Sequence, residues 1–395
     1  MNRVVVTGLG LVTALGSGAP LVWNRLLEGA SGVGSLRGFD TSGLRSRIGA
    51  QVPPLELPPP GSARWLERMR EPDRQGFVAG LQALGDAALD PRFTDGDRAG
   101  LWIACSPELA LAEARAEMAS EVRLPASRCL AEASGVTGPG GCFVGGAEAG
   151  AAAVAAAYRA LGRGEVEVAL AGGFDDPLAP YAMAKWDALG VLSESNDLGP
   201  LACRPFDRGR DGSVLGQGAA FLLLEERERA RGRGARIYAE MIGVSCTYDG
   251  FGVITPDPEG MRLSSAVEGA RRLGPAGPAA VLAVCHGSGT RLGDLTEARA
   301  LRRVFGAHQD ALTATSVKPA TGHLLAAAGP LNVAVLALTL HHGVVPPTLN
   351  LRDPDPACEL PVPREAMVWA GTLGIAIARG FGGENVVLAL RGEPP

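Results

Sequence analysis

Short apolar runs alternate with longer stretches rich in Ala, Leu and Arg along the chain. The apolar runs have the length of buried strands, and they predict strands at residues 3–7, 166–171, 219–225, 375–379 and 385–390. The longer stretches predict helices at residues 75–88, 147–161, 262–272 and 296–305. Strands that alternate with helices are typical of a layered α/β fold.

Two distant parts of the chain share one local pattern, an apolar strand that runs into glycines. Residues 166–173 are VEVALAGG, and residues 375–383 are IAIARGFGG. This repetition indicates two related halves. We therefore divide the chain into an N-terminal half, residues 1–247, and a C-terminal half, residues 248–395.

Composition and charge exclude several classes of protein. Of the 395 residues, 46% are hydrophobic and 20% are charged, which is typical of folded globular chains and not of disordered ones. The net charge of −5, without a basic block, argues against a nucleic-acid partner. The cysteines form no CxxC pair, which predicts reduced thiols rather than a disulfide scaffold.

Neither apolar segment that resembles a membrane or export signal fits one in detail. The longest uncharged apolar stretch, residues 324–340, contains Gly329, Pro330 and Asn332 and is too short to span a bilayer. The N-terminal apolar run, residues 4–6, enters a glycine turn, as a buried strand does. We therefore expect a cytoplasmic protein with no membrane partner.

Lysine is scarce in this chain. Of the 37 Lys and Arg residues, only Lys185 and Lys318 are lysines. A compact ammonium and a wide planar guanidinium are not interchangeable, so a retained lysine can mark a position where arginine does not fit. The alternative is that the two lysines were retained by chance.

Two of the five histidines have the surroundings of a binding pocket. His286 ends an apolar run and precedes Gly-Ser-Gly-Thr, and His323 follows Gly322 and precedes an Ala/Leu helix. Polar residues beside glycines at strand ends are typical of the rim of a pocket in an α/β sheet. The alternative is two buried histidines with satisfied hydrogen bonds. The remaining three, at positions 308, 341 and 342, are expected to be structural or solvated.

Five segments resemble the motifs of β-ketoacyl-acyl-carrier-protein synthases. They are VVVTGLG at residues 4–10, RPFDRGRDGSVLGQG at 204–218, HGSGTRLGDLTE at 286–297, KPATGH at 318–323 and GFGGEN at 380–385. The resemblance covers nearly the whole chain and implies a thiolase-like five-layer αβαβα sandwich of two related halves, normally a dimer. It also implies an acyl substrate on the phosphopantetheine arm of an acyl carrier protein, with no bound cofactor and no metal.

The resemblance assigns roles to several residues. His286, His323 and Lys318 match the two histidines and the lysine that drive decarboxylation of malonyl-carrier and condensation, and Glu297 matches the acidic partner of that lysine. Two imidazole N–H groups are suitable donors to an enolate oxygen.

Two further matches concern the mouth of the site. Phe381 matches an aromatic gate whose backbone N–H shares the oxyanion hole with the residue at the nucleophile position. Arg379 stands where the family commonly has another aromatic residue, and it is expected to narrow or polarise the acyl entrance.

The match fails at the nucleophile. The family's Thr-Ala-Cys-Ser-Ser-Gly falls on residues 145–150, Gly-Gly-Ala-Glu-Ala-Gly, so Ala147 occupies the cysteine position. Gly150 and Arg159 keep this register. Cys142 lies on the strand expected to lead into the helix, so we expect a buried structural thiol directed away from the helix N-terminus. The segment 105–137 is also shorter than in the family.

Four functions remain open. The first is a non-condensing partner subunit similar to a chain-length factor, in a heterodimer with a cysteine-bearing ketosynthase. The others are a malonyl-carrier decarboxylase, a condensing enzyme engineered from Cys to Ala, and a scaffold that only binds the carrier protein. The missing nucleophile and the short segment favour the partner subunit. The retained histidines and lysine favour decarboxylation, although glutamine is the usual replacement there. Engineering is disfavoured because residues 145, 146 and 148 also depart from the motif.

Overall fold

The computed structural model describes residues 1–55, 63–89, 96–111, 124–271 and 280–393. The strands are β1 (Val4–Thr13), β2 (Gly16–Ser17), β3 (Val33–Ser35), β4 (Ile48–Ala50), β5 (Ala99–Cys105), β6 (Gly140–Val144), β7 (Val168–Asp175), β8 (Gly218–Glu226), β9 (Ala239–Tyr248), β10 (Val281–Val284), β11 (Leu312–Thr315), β12 (Val344–Val345), β13 (Met367–Val368), β14 (Leu373–Arg379) and β15 (Glu384–Arg391). The α-helices are α1 (Ala19–Leu27), α2 (Ala63–Leu66), α3 (Glu71–Asp86), α4 (Ala126–Ser134), α5 (Ala149–Arg163), α6 (Pro180–Ala188), α7 (Arg227–Gly232), α8 (Met261–Arg271), α9 (Arg291–Phe305), α10 (Lys318–Thr321) and α11 (Ala328–His342).

The predicted strands and helices are confirmed, with shifted ends. The strand predicted at residues 3–7 continues to Thr13, and the helix predicted from residue 296 begins at Arg291. Thr7 to Thr13 includes glycines, which sequence patterns assign to turns, yet they stay in the strand because the backbone of α3 packs directly against them.

One strand order occurs twice in the large sheet. The first half has the order β1-β8-β7-β5-β6, and the second half has β9-β15-β14-β10-β11. In each half the first two pairings are antiparallel and the last two are parallel. The two glycine-ending strands, β7 and β14, hold equivalent places, so the two related halves expected from the sequence are present.

The strand order also bears on where the halves meet. β9 is the first strand of the second order, and it pairs with β1 over Val4–Val6 to join the half-sheets. The division predicted between residues 247 and 248 falls at the C-terminal end of β9, which counts that strand with the first half. The strand order groups it with the second half.

Helices cover both faces of each half-sheet. α5 packs on β5 and β7 and reaches β15, whereas α11 packs on β10 and β14 and reaches β8, so both lie between the halves. α3 covers the outer face of the first half, and α8 covers that of the second. The resulting order of helix, sheet, helix, sheet and helix is the expected five-layer sandwich.

The two central helices cross at close range near their N-terminal ends. A Cβ on Gly150 of α5 would overlap the carbonyl oxygen of Ala326 and would lie 2.6 Å from Cδ of Pro330. A Cβ on Gly329 would lie 2.7 Å from Cβ of Ala151. Glycine is therefore required on both helices, and the crossing places the start of α5 beside the start of α11.

Among the residues that the structure describes, one helical stretch, Leu325–His342, is long and apolar enough to cross a membrane by length and composition. In this fold, 83% of the window is buried inside the protein. A helix that is apolar on all sides and buried in this way is typical of the core of a large globular domain.

The contact between β1 and α3 predicts a sensitive position. A Cβ on Gly10 would overlap the carbonyl oxygen of Ala79, so Gly10→Ala must push α3 away and should lower the free energy of unfolding by about 1–3 kcal/mol. Urea denaturation measures this. Gly43→Ala is the control, because a Cβ there meets nothing within 4 Å. Equal stability of the two variants would contradict the packing described here.

Candidate active site

A cavity of about 230 Å³ lies where the C-terminal ends of β10 and β14 approach the starts of α5 and α11. It brings together five of the residues singled out in the sequence, and its walls are otherwise mostly apolar. The residues used below are Ala147, Trp186, His286, His323, Arg379 and Phe381. A concave, largely apolar pocket with a few converging polar groups is the usual form of a small-molecule site.

The peptide between His286 and Gly287 is held from both sides. The two carboxylate oxygens of Glu297, on α9, accept hydrogen bonds from the backbone N–H groups of His286 and Gly287, each at 2.7 Å. The ammonium group of Lys318 donates to the carbonyl oxygen of His286. These charge-assisted bonds fix the chain that carries the His286 imidazole.

Lys318 and Glu297 do not form the direct ion pair that the resemblance implies. Among the described residues, no nitrogen–oxygen contact within 4.0 Å joins them. Each binds the same peptide instead, and their charges act on one another across it. Burial lowers the pKa of Lys318 to about 8, and the charge of Glu297 opposes that shift. Burial raises the pKa of Glu297, and the charge of Arg379 opposes it most strongly.

Both imidazoles accept a backbone hydrogen bond at Nδ1. The N–H of Arg379 donates to Nδ1 of His286 at 3.4 Å, and the N–H of Leu325 donates to Nδ1 of His323 at 3.2 Å. Leu325 reaches this position because its φ is +44°, a left-handed conformation that is unusual for a residue other than glycine. With Nδ1 accepting, we assign the proton of each neutral ring to Nε2.

The two rings form an edge-to-face pair of uncharged donors. Their centroids lie 5.1 Å apart with an interplanar angle of 78°. Burial, followed by the charge of Lys318, holds the pKa of His286 and of His323 well below the usual imidazole range. Near neutral pH both rings are therefore neutral, and each offers one Nε2–H group for hydrogen bonding.

A second set of donors lies at the start of α5. Ala147 is buried in the turn before α5. Glu148 separates it from Ala149, the first residue of the helix. Across the part of the chain that the structure describes, neither its backbone N–H nor that of Phe381 donates to another protein group. Two such N–H groups beside a pocket are what an oxyanion hole requires.

Glu148 is a component of this site that sequence reasoning missed. Its Oε1 accepts a hydrogen bond from the N–H of Gly146 at 2.9 Å, and its Oε2 is buried without a partner among the described residues. Burial raises the pKa of this carboxyl group. A negative charge here is also favoured by the N-terminus of α5.

Three glycines make room for the Glu148 carboxylate. A Cβ on Gly145 would lie 2.8 Å from Oε1, and a Cβ on Gly146 would lie 2.8 Å from Oε2. A Cβ on Gly380 would overlap Oε2. The departures from the family motif at residues 145, 146 and 148 therefore form one structural unit. In the sequence, the pair Gly145-Gly146 was the signal that pointed to this unit.

The rim of the pocket is aromatic on one side and anchored by a charge on the other. The rings of Phe381 and Trp186 lie 5.3 Å apart between centroids. The guanidinium of Arg379 donates to Oδ1 of Asn385 at 3.1 Å and lies 3.6 Å from Oδ2 of Asp249. The Arg379 charge is thus held within the pocket wall, and its effect on the acyl entrance stays a prediction.

The expectation that Cys142 is buried is wrong. This residue lies on β6 as expected, but its side chain is exposed and does not line the cavity. The cause is the position of β6, which is the last strand in its half-sheet and pairs only with β5 among the described strands. Residues 112–123 of the short segment 105–137 lie outside the described residues.

His341 and His342 lie away from the cavity. His341 and His342 end α11, where their rings pack against Tyr238 and Trp23 with centroid distances of 5.1 and 5.7 Å. The side chain of His308 lies outside the described part of the structure. The first two therefore have the structural surroundings that were expected of them.

The fit between Glu148 and Gly380 predicts energetic coupling. Gly380→Ala should destabilise the protein, because the new methyl group displaces the carboxylate, and Glu148→Ala should remove most of that cost. Chemical denaturation of the two single variants and the double variant gives the coupling energy, which we expect to be about 1–3 kcal/mol. Additive effects of the two substitutions would show that the carboxylate does not occupy this space.

Comparisons with known proteins agree with this architecture. Family models described as "Beta-ketoacyl synthase, N-terminal domain" and "Beta-ketoacyl synthase, C-terminal domain" match residues 1–230 and 238–352. A 3-oxoacyl-[acyl-carrier-protein] synthase 2 from Synechocystis sp. is 32% identical over 407 aligned positions, which cover 99% of this chain and 98% of the relative.

Solved structures of similar proteins share the fold. A type II polyketide acyl-carrier protein in complex with its ketosynthase, bound to the hexaketide, supplies a chain with a TM-score of 0.87 and 28% identity, covering 99% of this chain and all of that one. The ishigamide ketosynthase/chain length factor matches over the full length of both chains with a TM-score of 0.85 and 27% identity. The thiolase-like fold expected from the sequence is thereby confirmed.

Proposed function

The chain belongs to the β-ketoacyl synthase family, and from that premise we propose that it is a non-condensing subunit of fatty acid or polyketide biosynthesis. Its proposed role is similar to that of a chain-length factor. Its partner is a cysteine-bearing ketosynthase, and the acyl substrate arrives on the phosphopantetheine arm of an acyl carrier protein. No other cofactor takes part in the proposal.

One observation carries this proposal: the donors of the pocket surround a position that has no nucleophile. A methyl group at Ala147 cannot form a thioester. The neighbouring carboxylate of Glu148, with the glycines that accommodate it, is also a poor neighbour for a thiolate, since two negative charges repel at short range. The change therefore extends beyond a single substitution, which argues against an engineered condensing enzyme.

The surface of the chain supports a partner subunit. β6 has one unpaired side in the described structure, and Val144 at its end is 55% exposed. Val253, next to the pocket residue Ile254, is 81% exposed. Exposed strand edges and apolar side chains of this kind are usually covered in an assembly. A similar solved structure is a ketosynthase/chain length factor, which agrees with this reading.

Two observations support the binding of a carrier protein. One of the related structures is a complex between a ketosynthase and its acyl-carrier protein. The cavity described above opens beside Phe381 and offers mainly apolar walls to an acyl group. These two facts support delivery of the substrate by a carrier-bound arm.

Co-expression tests the proposed partnership. With a cysteine-bearing ketosynthase from the same genome, we expect a stable one-to-one heterodimer by native mass spectrometry and light scattering, and a weak homodimer or poor solubility for this chain alone. Condensation by the complex should be abolished when the partner's cysteine is changed to alanine. A tight homodimer that ignores every ketosynthase of that genome would contradict the proposal.

A second candidate function, decarboxylation of malonyl-carrier, is favoured by the two neutral histidines. The thioester oxygen would accept hydrogen bonds from the Nε2–H groups of His286 and His323. The bond between the carboxylate and the α-carbon breaks, carbon dioxide leaves, and the electron pair forms the enolate. A proton from water then completes acetyl-carrier. No acyl-enzyme is needed, so Ala147 is no obstacle.

Replacing either histidine tests this second function. His286→Ala or His323→Ala should slow acetyl-carrier formation on the order of a hundredfold, because each removes one donor to the enolate oxygen. The wild-type rate should stay level as the pH falls from about 7 to about 5.5, since burial keeps both rings neutral below the ordinary imidazole pKa. Mass spectrometry of the carrier measures the product.

The control for this experiment is Lys318→Met. Burial, the larger cause of the low histidine pKa values, remains in this variant, so its rate should also stay level with pH, and any uniform loss of rate reports the missing contact with the carbonyl oxygen of His286. If wild type and both histidine variants give the same background rate, the histidines have a structural role and only the partner-subunit function stands.

A further inference from the structure

One buried carboxylate at the junction of the two halves has no part in the proposed function. Asp175 ends β7, is fully buried and does not line the cavity. Its Oδ1 accepts hydrogen bonds from the hydroxyl of Ser106 at 2.8 Å and from the N–H of Asp176 at 3.0 Å. Its Oδ2 accepts the N–H of Ala326 at 3.2 Å. The first two donors belong to the first half, whereas Ala326 lies just before α11 in the second, so this last bond joins the halves.

The bond from Asp175 falls on a strained turn. Ala326 follows Leu325, whose φ of +44° is left-handed. This conformation is unfavourable for a residue with a Cβ, so it persists only where the surroundings impose it. A Cβ on Gly150 would overlap the carbonyl oxygen of Ala326, and a Cβ on Gly173 would lie 2.6 Å from it. The N–H of Ala326 has Asp175 as its acceptor. The first half therefore restrains both the carbonyl and the N–H of this residue.

The turn orients one histidine of the cavity. The N–H of Leu325 donates to Nδ1 of His323 at 3.2 Å, and the described residues form no other hydrogen bond to this ring. A neutral imidazole can carry its proton on either nitrogen, and the hydrogen bond at one nitrogen decides between them. If the turn relaxes, Nδ1 loses its donor, and the form with the proton on Nδ1 becomes accessible. That form offers no N–H group at Nε2.

We propose that Asp175 is a positioning residue for His323. Its carboxylate holds the turn at Leu325 in the left-handed conformation, and the turn holds the ring in the form with the proton on Nε2. The first half thereby sets the orientation of a histidine that belongs to the second. The inference goes beyond the proposed function, because it holds for a catalytic and for a non-catalytic subunit.

Ser106 makes this arrangement independent of the charge on Asp175. Burial raises the pKa of Asp175 to about 7, and the charge of Glu108 adds to that shift. A hydroxyl group can accept as well as donate, so Ser106 can accept a proton carried on Oδ1 while Oδ2 still accepts from Ala326. The orientation of His323 should therefore be the same above and below pH 7, in agreement with the level pH response expected of decarboxylation.

Imidazole ¹⁵N NMR tests the proposal on the ring itself. Long-range ¹H–¹⁵N spectra of protein labelled at histidine distinguish the two tautomers, and the His323→Gln variant identifies the signals of this ring. At about pH 8, above the pKa of Asp175, the wild-type ring should carry its proton on Nε2. Asp175→Ala should lower the ratio of the Nε2–H form to the Nδ1–H form about tenfold, as expected for loss of one charge-assisted hydrogen bond. Asp175→Asn keeps an oxygen acceptor and should stay close to wild type.

Two controls separate this effect from general loosening of the protein. His286 is an internal reference in the same spectra, because its Nδ1 accepts from Arg379 on β14 and does not depend on Asp175. Asp176→Ala is the matched control variant, since the neighbouring carboxylate of Asp176 accepts from the side chain of Gln217 instead. Neither control should show a change of tautomer. Circular dichroism verifies that each variant is folded.

Ser106→Ala is a second and milder test. Without the hydroxyl, a proton on Asp175 competes for Oδ2, so the Nε2–H to Nδ1–H ratio of His323 should fall as the pH drops from about 8 to about 6. The wild-type ratio should stay level over this range. His323 itself remains neutral there, because burial holds its pKa well below the usual imidazole range.

An unchanged tautomer of His323 in a folded Asp175→Ala variant would overturn the proposal. An equal change at His286, or in the Asp176→Ala variant, would overturn it as well. If Asp175→Ala does not fold, Ser106→Ala decides the question, and a ratio that stays level with pH in that variant would overturn the proposal. Because the measurement reports the ring and not a reaction, failure of the proposed function would leave its outcome unaffected.

Discussion

The close crossing of the two central helices is the constraint on which the site depends. Gly150 and Gly329 let the backbones of α5 and α11 approach, and larger residues would separate them. Because each helix begins beside the cavity, this crossing sets the distance between Ala147 from the first half and His323 from the second. Asp175, at the end of β7, reinforces the junction by accepting the N–H of Ala326 at 3.2 Å.

The chemistry of the pocket follows from how its buried charges are placed. Lys318 and Glu297 bind the carbonyl oxygen and the N–H of the peptide between His286 and Gly287, and neither side chain lines the cavity. The imidazoles remain neutral, and they present N–H groups instead of positive charges. Such a pocket can stabilise a developing negative oxygen with fixed dipoles that need little reorganisation. The pocket lacks a nucleophile at Ala147. Because the carboxylate of Glu148 lies beside that position, the difference from a cysteine-bearing site involves more than one residue.

Local pattern predicted the strands, the helices and the histidine pair, whereas the five-layer sandwich was predicted from the resemblance to the ketosynthase motifs. The strands before glycines proved equivalent in the two halves, and His286 and His323 were found because a strand end and a helix start bracket them. The pair Gly145-Gly146 marked a departure from the motif, but patterns along the chain could not place the Glu148 carboxylate in the site, since its space also depends on Gly380, far away in sequence. The burial of Cys142 was mispredicted because sequence periodicity does not show which strand lies at a sheet edge.

The roles of the two lysines illustrate the same limit. Their scarcity singled out both positions, and Lys318 could be assigned by resemblance. The contacts of Lys185 depend on Glu108 and on the neighbouring ring of Trp186, which come together only in the folded chain. The expected pairing of Glu297 with Lys318 was likewise replaced by a shared peptide, an arrangement that residue types alone do not distinguish.

Acylation is the most direct test of the central claim that position 147 has no nucleophile and that the Glu148 carboxylate beside it disfavours a thiolate. Intact-mass spectrometry after incubation with an acetyl-carrier thioester should show no adduct on the wild-type chain. The double variant Ala147→Cys with Glu148→Ser should gain one acetyl group that maps to position 147, and the Ala147→Cys variant that keeps Glu148 should gain it more slowly. A stable adduct on the wild-type protein, at Cys142 or at any residue of the cavity, would contradict this account, and so would a folded double variant that remains unacylated.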